Sequence, residues 1–462
     1  MELRIDRQAL VPVVQQIVDA LTGWIRQDAI QPGTRLPSVR QLARQNLLSQ
    51  SCVNEACERL VAQGLLASRH GSSFFVAPPP APGHASSDPN RRLDTLAEDA
   101  DTPQWALNLG CGGLPESWRE SDDLGYAIRQ VTRTDMAGLF NYSTPLGLPA
   151  LREQLSRRLR QFNIEADKTQ ILTTTGATHG LDLIVRTLLQ PGACVVVESP
   201  GHSNLFDLLR LHKIDMIELP RTPRGPDVDV LQDLLATHRP SALFVNSACH
   251  NPTGSSLAPA VAQRLLQLTK QHAVLVIEDD AYGDFQRSAR TRLAALDADV
   301  VYVGSFSKTL SSSLRVGFVV AGPSIIARLS EVKGITSMGG SRFCESVLAN
   351  LLANGAYRKL VQRQRQRLGV DTAALLQVLE DADWEVFGKP AGGLFIWAKP
   401  PISDYAGLQR LAKRFGVLLS SPTAFSPSGA GSDWLRLNVP YASDPRALGF
   451  FQAAALDRPQ VS

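Results

Sequence analysis

The sequence predicts an α/β protein in which a small N-terminal unit of helices and a hairpin precedes a large unit built on a mostly parallel sheet. Two observations lead to this prediction. The chain has 462 residues, too many for one simple core. A proline-rich stretch also interrupts the pattern of helices and strands, and consecutive prolines disfavour both. We therefore predict domains at 1–76 and 105–462, joined by a linker over 77–104.

The composition is that of an ordinary globular protein, with 44% hydrophobic and 20% charged residues. No apolar run is long enough to cross a bilayer, which predicts a cytoplasmic protein with no membrane partner. The six cysteines form no CxxC pair, so we expect reduced thiols and neither a disulfide framework nor a metal site. The net charge of +3 is too small to indicate nucleic-acid binding by itself.

The N-terminal unit is predicted to contain three helices and a hairpin. Apolar residues at helical spacing over 12–28 predict the first helix. The second helix is short and begins with Ser38 as its cap, and the third is capped by Ser49 or Ser51. Two β-prone stretches within 65–76 predict the hairpin. Taken singly, each feature would fit any small structural domain.

In this order, the elements resemble the GntR-type winged helix over about residues 10–76. The stretches QPGTRLPSVRQLA and ERLVAQGLLASRHGSSFFV carry the resemblance. It implies binding to double-stranded DNA, because N–H groups at a helix N-terminus bind phosphate and the first side chains reach base edges in the major groove. The residues implied to contact DNA are Arg35, Ser38 and Arg40 before and in the second helix, Ser49, Gln50, Ser51 and Asn54 in the third, and Gly71 in the wing.

Two positions depart from the family pattern. The third helix begins Ser-Gln-Ser where the middle residue is often arginine, and Gln50 favours adenine over guanine. In the wing, Ser72 follows Gly71 where a second glycine is common. Residues 1–76 contain eight arginines, no lysine and six acidic residues, a net charge of +2. We therefore expect modest binding per domain that depends on dimerisation. For each arginine taken alone, a solvated surface charge is the alternative.

The large unit, over residues 105–456, alternates short apolar runs with amphipathic helical stretches. Such strands indicate a parallel sheet covered on both faces. Ligand residues are then expected at the carboxyl ends of the strands. The predicted strands are 170–174, 193–198, 242–246, 274–278, 300–304 and 316–321.

Polar motifs occur at these strand ends. Taken alone, the turn TTTGATHG is a weak signal, and a lysine in a loop rich in serine is usually a surface residue. Several motifs in one order are much more specific than any of them alone. They are TTTGATHG with Ala177 and Thr178, NSACHNPTG with Asn251, VIEDDAYGDF with Asp279 and Tyr282, GSFSKTLSSSLRVGF with Ser305, Ser307, Lys308 and Arg315, and WLRLNV with Arg436.

In order and spacing, these motifs resemble fold type I pyridoxal-phosphate enzymes, the aspartate aminotransferase superfamily. The resemblance implies pyridoxal phosphate as cofactor and Lys308 as the residue that forms the internal Schiff base, since only an amine condenses with the aldehyde. It implies that Asp279 pairs with the pyridine nitrogen. The remaining implied contacts are Asn251 and Tyr282 to the phenolic oxygen, and Ser305, Ser307, Arg315 and the amides near Ala177 and Thr178 to the phosphate.

Three further positions match the same superfamily. His202, in ESPGHSNLF, lies where an aromatic ring often stacks on the pyridine; histidine is a departure, and a loop histidine without a role is the alternative. Tyr142, in FNYSTPLGLPALR, matches the tyrosine that reaches the phosphate of the neighbouring subunit, which implies a homodimer with shared sites. Arg436 matches the arginine that binds a substrate α-carboxylate through its planar fork.

Together, the two units resemble the MocR type of GntR regulators. The resemblance implies a transcription regulator in which an amino compound, or pyridoxal phosphate itself, is sensed at a Lys308 aldimine. The alternative is a working pyridoxal-phosphate-dependent aminotransferase that acts on an amino acid. Every residue needed for transamination is present, so the regulator could also retain residual activity.

Overall fold

A computed structural model describes residues 3, 5, 13–27, 33–62, 65–69, 73–76, 106–286, 291–388, 390, 392–402 and 404–456. The chain divides into two compact units, one of Met1–Asn108 with Ala406–Leu418 and one of Leu109–Tyr405 with Leu419–Ser462. The predicted linker 77–104 and Gly71 lie outside the described residues. The domain boundaries stay a prediction.

The N-terminal part of the first unit has the predicted order of three helices and a hairpin. Ser38 caps the second helix by accepting a hydrogen bond from Gln41 N. Ser49, not Ser51, caps the third, because its Oγ accepts from Cys52 N at 3.1 Å. The elements are α1 (Val13–Gln27), α2 (Val39–Gln45), α3 (Gln50–Ala62), β1 (Leu66–Arg69) and β2 (Ser73–Val76), with β1 and β2 antiparallel.

One apolar core holds these elements together. Ile17, Leu42 and Leu60, from the three helices, are fully buried and pack with Leu66 of the hairpin. Their burial is the main favourable term for so small a unit. The first unit also contains a short parallel pair, β3 (Leu107–Asn108) with β14 (Val417–Leu418).

The second unit is built on an eight-stranded sheet of order β4–β11–β10–β9–β8–β5–β6–β7. Strands β10, β9, β8, β5 and β6 pair in parallel, whereas β11 is antiparallel to both neighbours and β7 to β6. The mostly parallel sheet is thus confirmed. The strands are β4 (Ile171–Thr174), β5 (Cys194–Ser199), β6 (Asp215–Thr222), β7 (Gly225–Pro226), β8 (Ala242–Val245), β9 (Leu275–Asp279), β10 (Val301–Ser305) and β11 (Gly317–Val320).

Helices cover both faces of this sheet. In β5, Val195 and Val197 pack with Leu181 in one cluster, while Val196 between them packs with Leu231 and Leu265 in another. Alternate side chains of a strand point to opposite faces, so both faces are buried. The covering helices are α4 (Asp122–Thr134), α5 (Pro149–Arg160), α6 (Ala177–Leu188), α7 (Ser203–Leu211), α8 (Val228–His238), α9 (Pro259–Gln271), α10 (Pro323–Ser337), α11 (Arg342–Ala353) and α12 (Ala356–Asp381).

The C-terminal part of the second unit contains a small antiparallel sheet of order β12–β13–β15. Its middle strand pairs Trp397 with Arg436, which fixes the position of that arginine. None of the helices in the described part of the chain has the length and hydropathy needed to span a membrane. The remaining elements of this unit are β12 (Glu385–Val386), β13 (Phe395–Lys399), β15 (Leu435–Asn438), α14 (Val439–Ala442) and α15 (Pro445–Leu456). The helix α13 (Tyr405–Arg414) belongs, except for its first residue, to the first unit.

Candidate functional site

The strand ends of the large sheet position most of the predicted residues. Strand β9 ends at Asp279 and β10 ends at Ser305, while Ala177 begins α6 just after β4. Asn251 lies in the loop that follows β8. Since β8, β9 and β10 run parallel, their carboxyl ends lie at one edge of the sheet, where ligands bind in open α/β folds.

The Lys308 amine lies beside Tyr282 and Gly112. Its Nζ is 5.4 Å from the centre of the Tyr282 ring, and the Tyr282 hydroxyl donates to the carbonyl of Gly112 at 3.2 Å. A Cβ atom on Gly112 would come within 3.4 Å of Lys308 Nζ and 3.3 Å of the Tyr282 hydroxyl. The missing side chain at Gly112 therefore leaves room next to the amine.

Asp279 and His202 face each other across the same space. Burial raises the pKa of the Asp279 carboxyl to about 6, although Ala281 N donates to its Oδ1 at 3.0 Å. Burial, together with the charges of Lys308 and Arg436, lowers the pKa of His202 to about 3. His202 is thus neutral at pH 7. Its Nδ1 lies 3.8 Å from Asp279 Oδ2, a contact with a neutral imidazole and not an ion pair.

Arg436 is held in a fixed orientation next to Asn251. Its Nη1 donates to Asn251 Oδ1 at 2.7 Å, and Nε donates to the Gly110 carbonyl at 3.1 Å. The guanidinium carbon also lies 4.7 Å from the ring centre of Phe395 and 4.8 Å from that of Phe425. Nη2 also donates to the Gly110 carbonyl, so two aromatic rings and three donating nitrogens leave the guanidinium little freedom. The predicted carboxylate-binding residue is therefore bonded to a predicted cofactor-binding residue.

The predicted phosphate residues gather at the N-terminus of α6. Arg315 Nη2 donates to Thr175 O at 3.2 Å, and a Cβ on Gly176, whose φ is +83°, would lie 2.7 Å from that same nitrogen. Ser305 Oγ accepts from Ser307 N at 3.2 Å. Ser307 Oγ is buried, with no hydrogen-bond partner among the described residues.

The buried Ser307 hydroxyl, which has no partner among the described residues, tests whether the site fits pyridoxal phosphate. A buried hydroxyl without a partner is costly, and a phosphate oxygen would satisfy it. The free N–H groups at the start of α6 and the Arg315 guanidinium favour the same anion. A lysine amine, a buried carboxylate and a phosphate cradle at one sheet edge therefore fit a phosphorylated ring aldehyde.

The predicted site residues fall into two groups. The groups are connected in sequence, because Ser307 of one group directly precedes Lys308 of the other. In the first group, His202, Asn251, Asp279 and Tyr282 line one pocket, with Lys308 beside Tyr282 and Arg436 beside Asn251. The second group is the phosphate cradle, formed by Ala177, Thr178, Ser305, Ser307 and Arg315. Tyr142 is 80% exposed, and among the described residues no hydrogen bond or ring contact joins it to either group. The predicted DNA residues that the structure describes are all exposed: Arg35, Ser38, Arg40, Ser49, Gln50, Ser51 and Asn54.

The sequence reasoning missed several residues of this region. Phe395 and Phe425 are distant in sequence, and only the fold brings both against Arg436. Asn246 follows β8 and Glu198 lies in β5, so both are polar residues at strand ends and could have been noted on that ground. Their role depends on hydrogen bonds between neighbouring strands, which the sequence does not reveal.

The chain is similar to two families. Residues 106–447 match aminotransferase class I and II, and residues 13–76 match the gntR family of bacterial regulatory proteins. Over 95% of this chain and 94% of the relative, it is 27% identical to an uncharacterised HTH-type transcriptional regulator, YisV, of Bacillus subtilis. It is 32% identical to a 2-aminoadipate transaminase of Thermus thermophilus over 71% of this chain and 84% of the relative.

A solved structure resembles most of the chain. It is a kynurenine aminotransferase of Pyrococcus horikoshii, crystallised in complex with PMP, with a TM-score of 0.73 and 25% sequence identity. The match covers 81% of this chain and 94% of that one.

Proposed function

Because the chain belongs to the aminotransferase class I and II family and carries a GntR-family region at its N-terminus, the combination of MocR-type regulators, we propose that it is a ligand-responsive transcription regulator. It binds double-stranded DNA through the N-terminal unit and pyridoxal phosphate through the large one. One observation carries the proposal: the same chain contains Lys308 next to the predicted cofactor-binding residues and a helix, α3, whose exposed N-terminus is capped by Ser49. A DNA-binding role supports a location in the cytoplasm.

The chain's own residues define how pyridoxal phosphate is held. When bound, the cofactor supplies an aldehyde that condenses with amines and a ring that withdraws electrons. Lys308 would provide the amine, and the largely buried Asp279 carboxylate would accept a hydrogen bond from the protonated ring nitrogen and keep it protonated. Tyr282 and Asn251 donate to the phenolic oxygen. The phosphate is held by Ser305, Ser307, Arg315 and the N–H groups of Ala177 and Thr178.

An amino compound with a carboxylate is the proposed effector. Its amine would replace Lys308, and its carboxylate would take the Arg436 donors that now bond to Gly110 and Asn251. Asn251 would then lose one partner as the effector binds. A change at the carboxylate is thereby transmitted to a cofactor contact. An effect on DNA binding further requires different effector affinity in two conformations of the protein.

The exposed surface around Tyr142 supports a homodimer. Phe140 and Tyr142 are 86% and 80% exposed, and Met338 is 58% exposed. The backbone beside Met338 lies close to that region, because a Cβ on Gly339 would come within 2.8 Å of Ser143 O. Neighbouring large apolar side chains that face solvent indicate a protein interface. We propose that a second copy covers them and that Tyr142 reaches its phosphate.

Labelling tests the cofactor site. Protein incubated with pyridoxal phosphate should turn yellow, and borohydride reduction should fix the label on one peptide, the one that contains Lys308. Lys308→Ala should abolish the label, whereas the control Lys270→Ala, at an exposed lysine of α9, should keep it. A label that persists in Lys308→Ala at another lysine would refute the assignment.

A working aminotransferase is the second candidate. The complete set of residues around Lys308 and the 32% identity to a transaminase favour it. Steady-state turnover with amino donors and an oxo acid, measured beside operator binding, separates the two functions. A third candidate needs no amino compound and senses pyridoxal phosphate alone; titrating DNA affinity with the cofactor by itself tests it.

A further inference from the structure

Asn246 uses all of its polar groups to connect the strand ends at the site. Its side-chain Nδ2 donates to the Asp279 carbonyl at 2.6 Å, and its Oδ1 accepts from Asn251 N at 2.9 Å. Its backbone N–H donates to Glu198 Oε2 at 2.7 Å, and its carbonyl accepts from Arg221 Nη1 at 3.0 Å. One residue after β8 thus joins β5, β6, the end of β9 and the loop of Asn251.

A buried ion pair anchors the backbone of Asn246. The Glu198 and Arg221 side chains are 4% and 0% exposed and are directly paired. Arg221 Nε also donates to Ser255 Oγ at 2.9 Å. Such a pair holds its geometry, because moving one partner leaves an uncompensated buried charge. The ion pair therefore holds Asn246 by its backbone, whereas the side-chain amide bonds to the site.

We propose that Asn246 is a positioning residue, which fixes Asp279 relative to Asn251 while Glu198 and Arg221 hold Asn246 itself. The inference rests on the proposed function, in which Asp279 contacts the ring nitrogen and Asn251 the phenolic oxygen. Both contacts lie on one rigid ring, so a displacement of either residue relative to the other weakens both. A purely structural asparagine would instead affect only stability.

Two substitutions separate these roles. Asn246→Ala removes the amide hydrogen bonds to the Asp279 carbonyl and from Asn251 N, together with a longer one to the Ala248 carbonyl at 3.3 Å. Asn246→Asp is nearly isosteric and keeps the acceptor for Asn251 N, but it places an oxygen against the Asp279 carbonyl. The matched control is Asn354→Ala: the Asn354 amide also makes two hydrogen bonds, to Asn350 Oδ1 at 3.2 Å and from Ala356 N at 2.9 Å, which join α11 to α12.

The full-length chain is loaded with pyridoxal phosphate, and three quantities are measured: melting temperature, cofactor affinity and the pH midpoint of the cofactor's absorbance change. Both Asn246 variants should bind the cofactor about tenfold more weakly, the effect of one or two lost hydrogen bonds. Asn246→Asp should also raise the pH midpoint, because added negative charge favours protonated neighbours. The charged and titratable groups that face the site around residue 246 are Glu198, Arg221, His250, His202, Asp279, Asp280, Lys308 and Arg436. Asn354→Ala should lower only the melting temperature.

The outcomes are distinguishable. If the Asn246 variants melt earlier but keep wild-type cofactor affinity and pH midpoint, Asn246 has only a structural role and the inference is wrong. If Asn246→Ala does not fold, the nearly isosteric Asn246→Asp decides by the same two readouts. If the wild type itself takes up no cofactor at Lys308, the proposed function fails first, and the inference falls with it.

Discussion

The neutral imidazole of His202 makes a prediction about stability. Its pKa of about 3 in the folded chain lies below the ordinary value of 6.5, so the unfolded state binds the proton more tightly. The free energy of unfolding of the cofactor-free protein should therefore fall as the pH falls from 6.5 towards 3. His202→Phe keeps an aromatic ring and removes this term. When the pH is lowered from about 7.5 to about 5.5, the free energy of unfolding measured in urea should therefore fall less for the variant than for the wild type.

His250 provides an internal reference for that comparison. Burial also lowers its pKa, and it is present in both proteins, so its contribution cancels in the difference. An equal difference between variant and wild type at both pH values would show that folding does not lower the pKa of His202, so that the imidazole is protonated at pH 5.5. In that case the contact with Asp279 would be an ion pair.

The second prediction for a single residue concerns Arg436. Arg436→Lys keeps the charge but loses the planar fork, and Arg436→Ala loses both. Amino acids should bind at least about tenfold more weakly to both variants, by the spectral change of the cofactor, because a charge-assisted bidentate pair is lost. Basal operator binding should persist. An undiminished spectral response would mean that the effector has no carboxylate or that another residue binds it.

The structure refines what this experiment measures. Arg436 donates to Asn251, so its loss also changes a residue expected to contact the cofactor. Cofactor affinity is therefore measured in parallel, and only the loss of amino-acid binding beyond the loss of cofactor binding is assigned to the carboxylate. Arg328→Lys, at an exposed arginine bonded to Thr187 O, is the control.

The helices α2 and α3 are predicted to bind DNA in different ways. Arg40, exposed on α2, should contact phosphate, so Arg40→Ala should weaken binding about equally on all sequences and reduce the salt slope by about 1. Gln50, at the start of α3, should contact a base, so Gln50→Ala should cost roughly 1–3 kcal/mol of discrimination at one position. Titrations with operator and scrambled DNA at several salt concentrations measure both. Unchanged discrimination in Gln50→Ala would place α3 in a different register.

Secondary structure was predictable where strands are short and apolar. All six predicted strands exist within a residue or two of their predicted bounds, because fully buried strands contain almost no polar residues. Strand β6 was missed, since the sequence DMIELPRT mixes polar and apolar residues without a regular period and includes a proline. The strands β7, β12 and β14 are two residues each, too short for any periodicity.

Residues of the candidate site could be predicted from the sequence only where they lie in recognisable motifs. Asp279, Lys308 and Asn251 stand in recognisable stretches, whereas the Phe395 and Phe425 rings meet Arg436 only through folding. Likewise, the bond from Arg436 to Asn251 spans 185 residues. Such contacts depend on the packing of distant segments, which local patterns do not determine.

The assembly as a whole is testable through Tyr142. If Tyr142 completes the phosphate site of a second copy, Tyr142→Phe dimers should bind the cofactor more weakly in both sites. Mixed dimers with Lys308→Ala subunits should regain one intact site, formed by Lys308 of one subunit and Tyr142 of its partner. Borohydride labelling of co-expressed, differently tagged subunits measures the recovery. A monomeric protein in sedimentation, or no recovery in mixed dimers, would contradict the shared site.

The central claim is that an amino compound acts on operator binding through Lys308. The most direct measurement is the operator affinity of full-length protein, titrated with amino acids in the presence of pyridoxal phosphate, for the wild type and Lys308→Ala. We predict that at least one amino acid changes the wild-type affinity, and that Lys308→Ala binds the operator with the wild type's basal affinity but does not respond. The same response in both proteins would contradict the account.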